Sequence, residues 1–78
     1  MNYYYIAFSS PIGDGAYFYR NEKHPLDPET HKVKRESLAT QLSLNSRGST
    51  IPADAIVYVY LEKLTEEVAK ARWPEDFK

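Results

Sequence analysis

Three short runs of alternating apolar side chains constrain the fold of this sequence most strongly. They cover residues 3–9 (YYYIAFS), 16–20 (AYFYR) and 55–61 (AIVYVYL). A period of two is typical of a β-strand with two distinct faces. With 78 residues, the chain has room for a single core. The sequence therefore predicts one domain, residues 1–78, built on a three-stranded sheet.

Turn formers and prolines separate these runs. Residues 9–15 (SSPIGDG) predict a hairpin with a six-residue connection, since proline and glycine favour turns. Asp27 and Pro28 are a typical helix N-cap and first helical residue. The helix that follows is expected to end in residues 45–50, with Gly48 as its C-terminal stop.

A second, shorter helix is predicted over residues 66–72 (EEVAKAR), with Thr65 as its N-cap and Pro74 as its stop. The order of elements is then ββαβ followed by a short helix, an α+β fold. Clean alternation favours an antiparallel sheet in strand order 2-1-3, because parallel sheets are usually buried on both faces. A parallel sheet in order 1-2-3 with a right-handed crossover is the alternative.

Alternation also assigns side chains to faces. Leu38 and Leu42 form a narrow stripe on the long helix, which is expected to cover an apolar sheet face. That face is predicted to contain Tyr4, Ile6, Phe8, Ala16, Phe18, Val57, Val59 and Leu61.

Six of the seven tyrosines fall on the opposite face in this assignment. They are Tyr3, Tyr5, Tyr17, Tyr19, Tyr58 and Tyr60. Tyrosine is enriched at protein interfaces, so the face is interpreted as a protein-binding surface. A structural role is the competing interpretation: cross-strand tyrosine pairs stabilise a sheet, and the C-terminal segment with Val68, Trp73 or Phe77 can fold across them.

Composition argues against several functions. There is no cysteine and the net charge is −1, whereas nucleic-acid-binding domains usually carry a basic excess. His24 and His31 match no metal-ligand spacing and are expected in a solvated polar loop. The glycines at 13 and 15 fit a turn better than a phosphate loop. We therefore expect no catalytic residues, no metal and no cofactor, and a soluble cytoplasmic protein without a membrane span or a secretory signal.

The overall layout resembles small ββαβ proteins encoded by bacteriophages and prophages. The resemblance rests on NYYYIAF, SPIGDGAYFY and AIVYVYLEKL followed by TEE, and it carries no specific motif. Such proteins are mostly uncharacterised, and some inhibit host proteins, including defence systems such as CRISPR complexes. The resemblance implies a binding protein whose partner is a host protein or complex.

Two functions follow as predictions. The first is a non-enzymatic protein-binding module anchored by Tyr5, Tyr19, Tyr58 and Tyr60, with a homo-oligomer as one form of it. The alternative is a single-stranded nucleic-acid-binding module that stacks bases on the same tyrosines. Its phosphate contacts would come from basic residues of the helix and the segment after it, namely Lys32, Lys34, Arg35 and Arg47.

Overall fold

The structure is a computed structural model that describes residues 1–46 and 50–77. The strands are β1 (Asn2–Ser10), β2 (Gly13–Asn21) and β3 (Val57–Leu64), and the helices are α1 (Pro28–Asn45) and α2 (Glu66–Arg72). Two short 3₁₀ helices, Ala53–Ala55 and Pro74–Phe77, precede β3 and follow α2.

Strand β1 is the centre of an antiparallel sheet in order β2-β1-β3. The predicted α+β fold and strand order are therefore confirmed, and the parallel alternative is wrong. Both β2 and β3 are edge strands, so each has one side without a strand partner in the described chain. Unpaired edges of this kind can accept a further strand.

Both predicted helix starts are confirmed. The Asp27 carboxylate accepts hydrogen bonds from the backbone and the hydroxyl of Thr30, which lower the pKa of Asp27. The hydroxyl of Thr65 caps α2 by accepting from the Val68 N–H at 3.2 Å. Helix α1 is described to Asn45, and its predicted stop at Gly48 lies outside the described residues.

The hairpin connection is shorter than predicted. Ser10 pairs with Gly13, so only Pro11 and Ile12 lie between the strands. Gly13 has a φ of +135°, which L-residues with a side chain rarely adopt. As a result, every even-numbered residue of β1 pairs with an odd-numbered residue of β2, for example Tyr4 with Tyr19.

This register reverses the predicted faces of β2. Cross-strand partners share a face, so Tyr17 and Tyr19 lie beside Ile6 and Tyr4, and Ala16 and Phe18 lie on the opposite side. A one-residue change of register moves every side chain of a strand to the other face. The prediction that Ala16 and Phe18 belong to the helix-covered core was therefore wrong.

A bulge divides β3 into two parts with different facing. Ala7 pairs with Tyr60 and the next residue, Phe8, pairs with Tyr58, so Val59 is the extra residue. Tyr58 thus lies on the helix side with Phe8, whereas Val57 and Tyr60 lie on the other side with Ser9 and Ala7. Val57 and Val59 are both more than half exposed, so their predicted place in the core was also wrong.

The core under α1 keeps the predicted residues of β1 and of the helix. Leu38 and Ala39 are buried against Phe8 and Ile56, and Leu42 packs beside them. A second buried cluster contains Tyr4, Ile6 and Tyr19, with Leu61 at its side. Tyr17, Tyr19 and Tyr58 thus occupy the helix side of the sheet. Alternation had predicted Ala16 and Phe18 of β2 and the two valines of β3 for that side.

The C-terminal segment covers part of the opposite face. Leu64 at the end of β3 and Ala69 of α2 are both buried. Trp73 and Phe77 then lie on rings that project from the sheet, with Trp73 centred 4.7 Å from Phe18. The sheet is therefore packed on both sides, by a long helix on one and a short aromatic segment on the other.

Candidate functional site

The six tyrosines predicted as one binding surface lie on two faces. Three of them, Tyr3, Tyr5 and Tyr60, project on the side of the C-terminal segment. The other three, Tyr17, Tyr19 and Tyr58, project towards α1 together with Tyr4. The prediction of a shared tyrosine face was therefore wrong, because the tight turn and the bulge each change the facing of a strand.

On the C-terminal side the rings form a continuous row, here called the aromatic row. Its members, in spatial order, are Phe77, Tyr3, Phe18, Trp73, Tyr5 and Tyr60. Successive ring centroids are 4.7–6.5 Å apart, within the range of stabilising aromatic pairs. The rings thus pack mainly against one another, and Tyr60 is the half-exposed end of the row.

The tyrosines on the helix side are tied to the core by hydrogen bonds. The hydroxyls of Tyr17 and Tyr58 are 2.6 Å apart, and that of Tyr19 donates to the Lys23 carbonyl. Burial raises the pKa of Tyr17, and its bond to Tyr58 adds to the shift. Lys34 extends over the Tyr17 ring, with Nζ 4.6 Å from its centroid. These groups stabilise the packing of α1 on the sheet.

This arrangement does not provide the platform that the nucleic-acid alternative requires. Its rings are divided between two faces, and those of the aromatic row already stack on one another. One of its cations, Lys34, is engaged with Tyr17, and Arg47 lies outside the described residues. Base stacking was inferred from a single face with six tyrosines, and the structure does not contain that face.

Three of the exposed large apolar side chains in the described part of the chain lie close together on the edge strand β3. Val57, Val59 and Tyr60 are 56%, 62% and 50% exposed, and we call these three residues the β3 strip. Natural edge strands usually carry charges or prolines that discourage pairing with other chains. The β3 strip contains neither, and the first charged residues of the strand are Glu62 and Lys63. Sequence alternation missed this strip because it placed both valines in the core.

Among the hollows in the described part of the chain, one groove and one pocket border α1. A groove of about 650 Å³ runs along the edge of β2, between Tyr17 and Lys23, and beside helix residues including Val33 and Lys34. A smaller pocket of about 320 Å³ lies between α1, the 3₁₀ helix Ala53–Ala55 and β3. Val57 of the β3 strip is one of the residues that line this pocket.

His24 is exposed in the loop between β2 and α1, as expected, whereas His31 lies on α1 and not in a loop. The His24 Nδ1 accepts from the Leu26 N–H at 3.1 Å, so in the neutral ring Nε2–H donates to the Tyr4 hydroxyl at 3.1 Å. His31 is half-buried on α1, with its ring 4.7 Å from that of Tyr58. Burial lowers the pKa of His31, and the nearby Arg35 lowers it further. The His31 ring is therefore part of the packing, and the exposed His24 ring is held in place by its two hydrogen bonds.

Within residues 1–46 and 50–77, no three metal-ligating side chains converge. No helix in that part of the chain is long and apolar enough to cross a membrane. Comparisons of the chain with protein-family models, with curated proteins and with solved structures gave no match.

Proposed function

We propose that this protein is a small non-enzymatic protein-binding module that docks on its partner through the β3 strip. The observation that carries the proposal is the exposure of Val57, Val59 and Tyr60 on one unpaired edge strand. Exposed contiguous apolar groups are costly in water, and surfaces of this kind commonly mark interaction sites. An edge strand adds backbone hydrogen bonds when a partner segment pairs with it.

The surroundings of the strip favour binding with little loss of conformational freedom. Tyr60 is held at the end of the aromatic row by its edge-to-face contact with Tyr5. The two valines have few side-chain rotamers to lose. A chain of 9.0 kDa offers a small contact area, so a rigid strip with low entropy cost is an effective way to gain affinity.

The class of protein that serves as the partner is a prediction from the sequence. The resemblance to phage-encoded proteins implies a host protein or complex, such as a CRISPR or other defence complex, which the module would inhibit. The alternative partner is a second copy of this chain, which would give a homo-oligomer. Of the six tyrosines first predicted, Tyr60 is the one we retain in the binding surface, and Val57 and Val59 replace the others.

Val59→Lys tests the proposal, with Val33→Lys as its matched control. Val33 lies on α1 and is 59% exposed, against 62% for Val59, so both changes replace an equally exposed valine by lysine. Lysine is well tolerated on edge strands, so the Val59 variant should fold, which circular dichroism would check. Each protein is tagged and used to capture partners from a host lysate, and the captured partner is then purified and titrated.

We expect wild type and Val33→Lys to bind the purified partner alike, and Val59→Lys to bind it at least about tenfold more weakly. Equal affinity of the two lysine variants would overturn the proposal. Sedimentation of the purified chain identifies self-association: a dimer present in wild type and lost in Val59→Lys would make a second copy the partner.

A further inference from the structure

The edge strand β2 differs from β3 in that its ladder is regular along its whole length. All nine residues, from Gly13 to Asn21, pair with β1 without a register shift, whereas β3 contains the bulge at Val59. Bulges and prolines are devices that stop an edge strand from accepting another strand, and β2 contains neither. On its helix side, the groove of about 650 Å³ leaves space beside the strand. In the described part of the chain, the outer edge of β2 is therefore open to a further strand.

The backbone groups that face this open edge follow from the hairpin. Along an antiparallel ladder, hydrogen-bonded and non-hydrogen-bonded pairs alternate. Ser10 and Gly13 close the two-residue turn and form a hydrogen-bonded pair, because the turn brings the C=O of the first to the N–H of the second. Every second residue of β2 then directs its N–H and C=O away from β1, and these residues are Asp14, Ala16, Phe18 and Arg20.

The side chains of β2 are arranged symmetrically about Tyr17. If two copies of the strand lie antiparallel with Tyr17 opposite Tyr17, all nine residues are paired. Asp14 then lies opposite Arg20, and Ala16 lies opposite Phe18. An aspartate thus meets an arginine, and opposite charges on facing residues stabilise antiparallel pairs. A small side chain also meets a large one, which is the arrangement that packs without voids.

We propose that this protein forms a homodimer in which the β2 strands of two copies pair antiparallel about a two-fold axis at Tyr17. The two sheets join into one sheet of six strands, in order β3-β1-β2-β2-β1-β3. Because a two-fold axis makes every contact occur twice, the dimer contains two pairs of Asp14 with Arg20. The β2 edge is separate from the β3 strip, so this dimer does not depend on the proposed function.

Both charged side chains are placed to make this contact. Asp14 is exposed, and no salt bridge within 4.0 Å joins it to another described residue. Arg20 is also exposed. Its guanidinium donates to the Asp76 carbonyl and lies 4.7 Å from the centre of the Phe77 ring. A guanidinium has five N–H groups, so donors remain for a carboxylate of the second copy.

The two charges also select the register of the dimer. A shift by two residues is the smallest that keeps both the two-fold axis and the facing of the side chains. In one direction this shift places Asp14 opposite Phe18, and in the other it places Arg20 opposite Ala16. Either shift also leaves residues at the ends of β2 unpaired. The register that pairs the whole strand is therefore the one that matches the charges.

Sedimentation equilibrium of the purified full chain tests the proposal, because the mass should rise from 9.0 kDa towards twice that value with concentration. Asp14→Lys places a lysine opposite each Arg20. Asp54→Lys is its matched control, since it makes the same exchange at another exposed aspartate, outside β2. The double variant Asp14→Lys/Arg20→Glu restores opposite charges across the axis. Circular dichroism checks that each variant is folded.

We expect wild type and Asp54→Lys to dimerise alike. Asp14→Lys should dimerise at least about tenfold more weakly, because one substitution makes two contacts repulsive. The double variant should recover most of that loss, which a merely destabilised fold would not do. Three results would each overturn the proposal: a wild-type chain that is monomeric at about 1 mM, equal dimerisation of the two single lysine variants, or no recovery in a folded double variant.

Hydrogen exchange locates the interface. The amides of Asp14, Ala16, Phe18 and Arg20 lie in the new ladder, so their exchange should slow as the protein concentration rises. A dimer that is lost in Val59→Lys and kept in Asp14→Lys would have its interface on the β3 strip and would overturn the proposal.

The outcome is separable from that of the proposed function. Partner capture that depends on Val59, from a chain that stays monomeric, rejects the β2 dimer alone. Capture that does not depend on Val59, together with a dimer that depends on Asp14, rejects the β3 strip and supports the β2 dimer.

Discussion

The covering of one sheet face by the C-terminal segment leads to a quantitative prediction for Trp73→Ala. The Trp73 ring stacks on Phe18 at 4.7 Å and lies 6.0 Å from Tyr5. The substitution removes both contacts and exposes the centre of the aromatic row to water. Because Trp73 lies beyond the end of α2, this change tests the docking of the segment and leaves the helix sequence intact.

The expected cost follows from burial and ring contacts. Replacing a fully buried aromatic residue by alanine costs about 3–5 kcal/mol, and Trp73 is half-buried. Half of that cost, plus about 0.5–1.5 kcal/mol for lost aromatic stacking, gives about 2–4 kcal/mol. A chain of 78 residues has a stability of about 4–12 kcal/mol. At about 4–8 °C for each kcal/mol in a domain of this size, the melting temperature should fall by about 8–30 °C.

Urea and thermal unfolding followed by circular dichroism would measure this loss, because Trp73 is the only tryptophan and its fluorescence disappears with it. Trp73→Phe should retain most of the stability, since a flat ring remains on Phe18. Leu44→Ala removes a large side chain that is 79% exposed and should change the unfolding free energy by less than about 0.5 kcal/mol. If Trp73→Ala also lowered the unfolding free energy by less than about 0.5 kcal/mol, the packing argument would be refuted.

Three further predictions concern the helix side of the sheet. Gly15→Ala would place a Cβ 2.6 Å from Cζ of the buried Phe8 ring, so we expect a loss of about 1–3 kcal/mol in urea unfolding, and an unchanged midpoint would contradict this. Burial raises the pKa of Tyr17 above its ordinary 10.0, so the unfolded chain loses this proton first; stability should fall above pH 10 in wild type and fall less in Tyr17→Phe. That variant should also cost about 1–3 kcal/mol at neutral pH, because the Tyr58 hydroxyl loses its partner. Burial lowers the pKa of His31 below 6.5, so the unfolded chain binds the proton first; stability should fall as the pH drops below 6.5, and a similar fall in His31→Gln would show that other groups cause it.

The sequence predicted the elements and their order better than it predicted their facing. The hairpin, the N-caps at Asp27 and Thr65 and the strand order 2-1-3 follow from local signals that the structure confirms. Alternation correctly placed Tyr17 and Phe18 on opposite sides of β2. It could not decide which side is covered by α1, because both carry aromatic residues and burial of either is favourable.

Two local features decide the facing. Between Ser10 and Gly13 the chain makes a two-residue turn, where six connecting residues were predicted, and the bulge at Val59 changes the facing within β3. The glycine at 13, at the residue after the turn, was the available signal for a short connection. No residue pattern in AIVYVYL marks the bulge, since valine and tyrosine alternate through it. The prediction that six tyrosines share one face was wrong for this reason.

The central position of β1 also has a consequence for synthesis on the ribosome. β1 and β2 can pair as soon as residue 21 has emerged, but the second edge of β1 is completed only by residues 57–64, about forty residues later. At about 5–20 residues per second, that edge stays open for about 2–8 s. Until then the nascent chain displays the strand YYYIAF with one free edge, which is the period when a chaperone would protect it best.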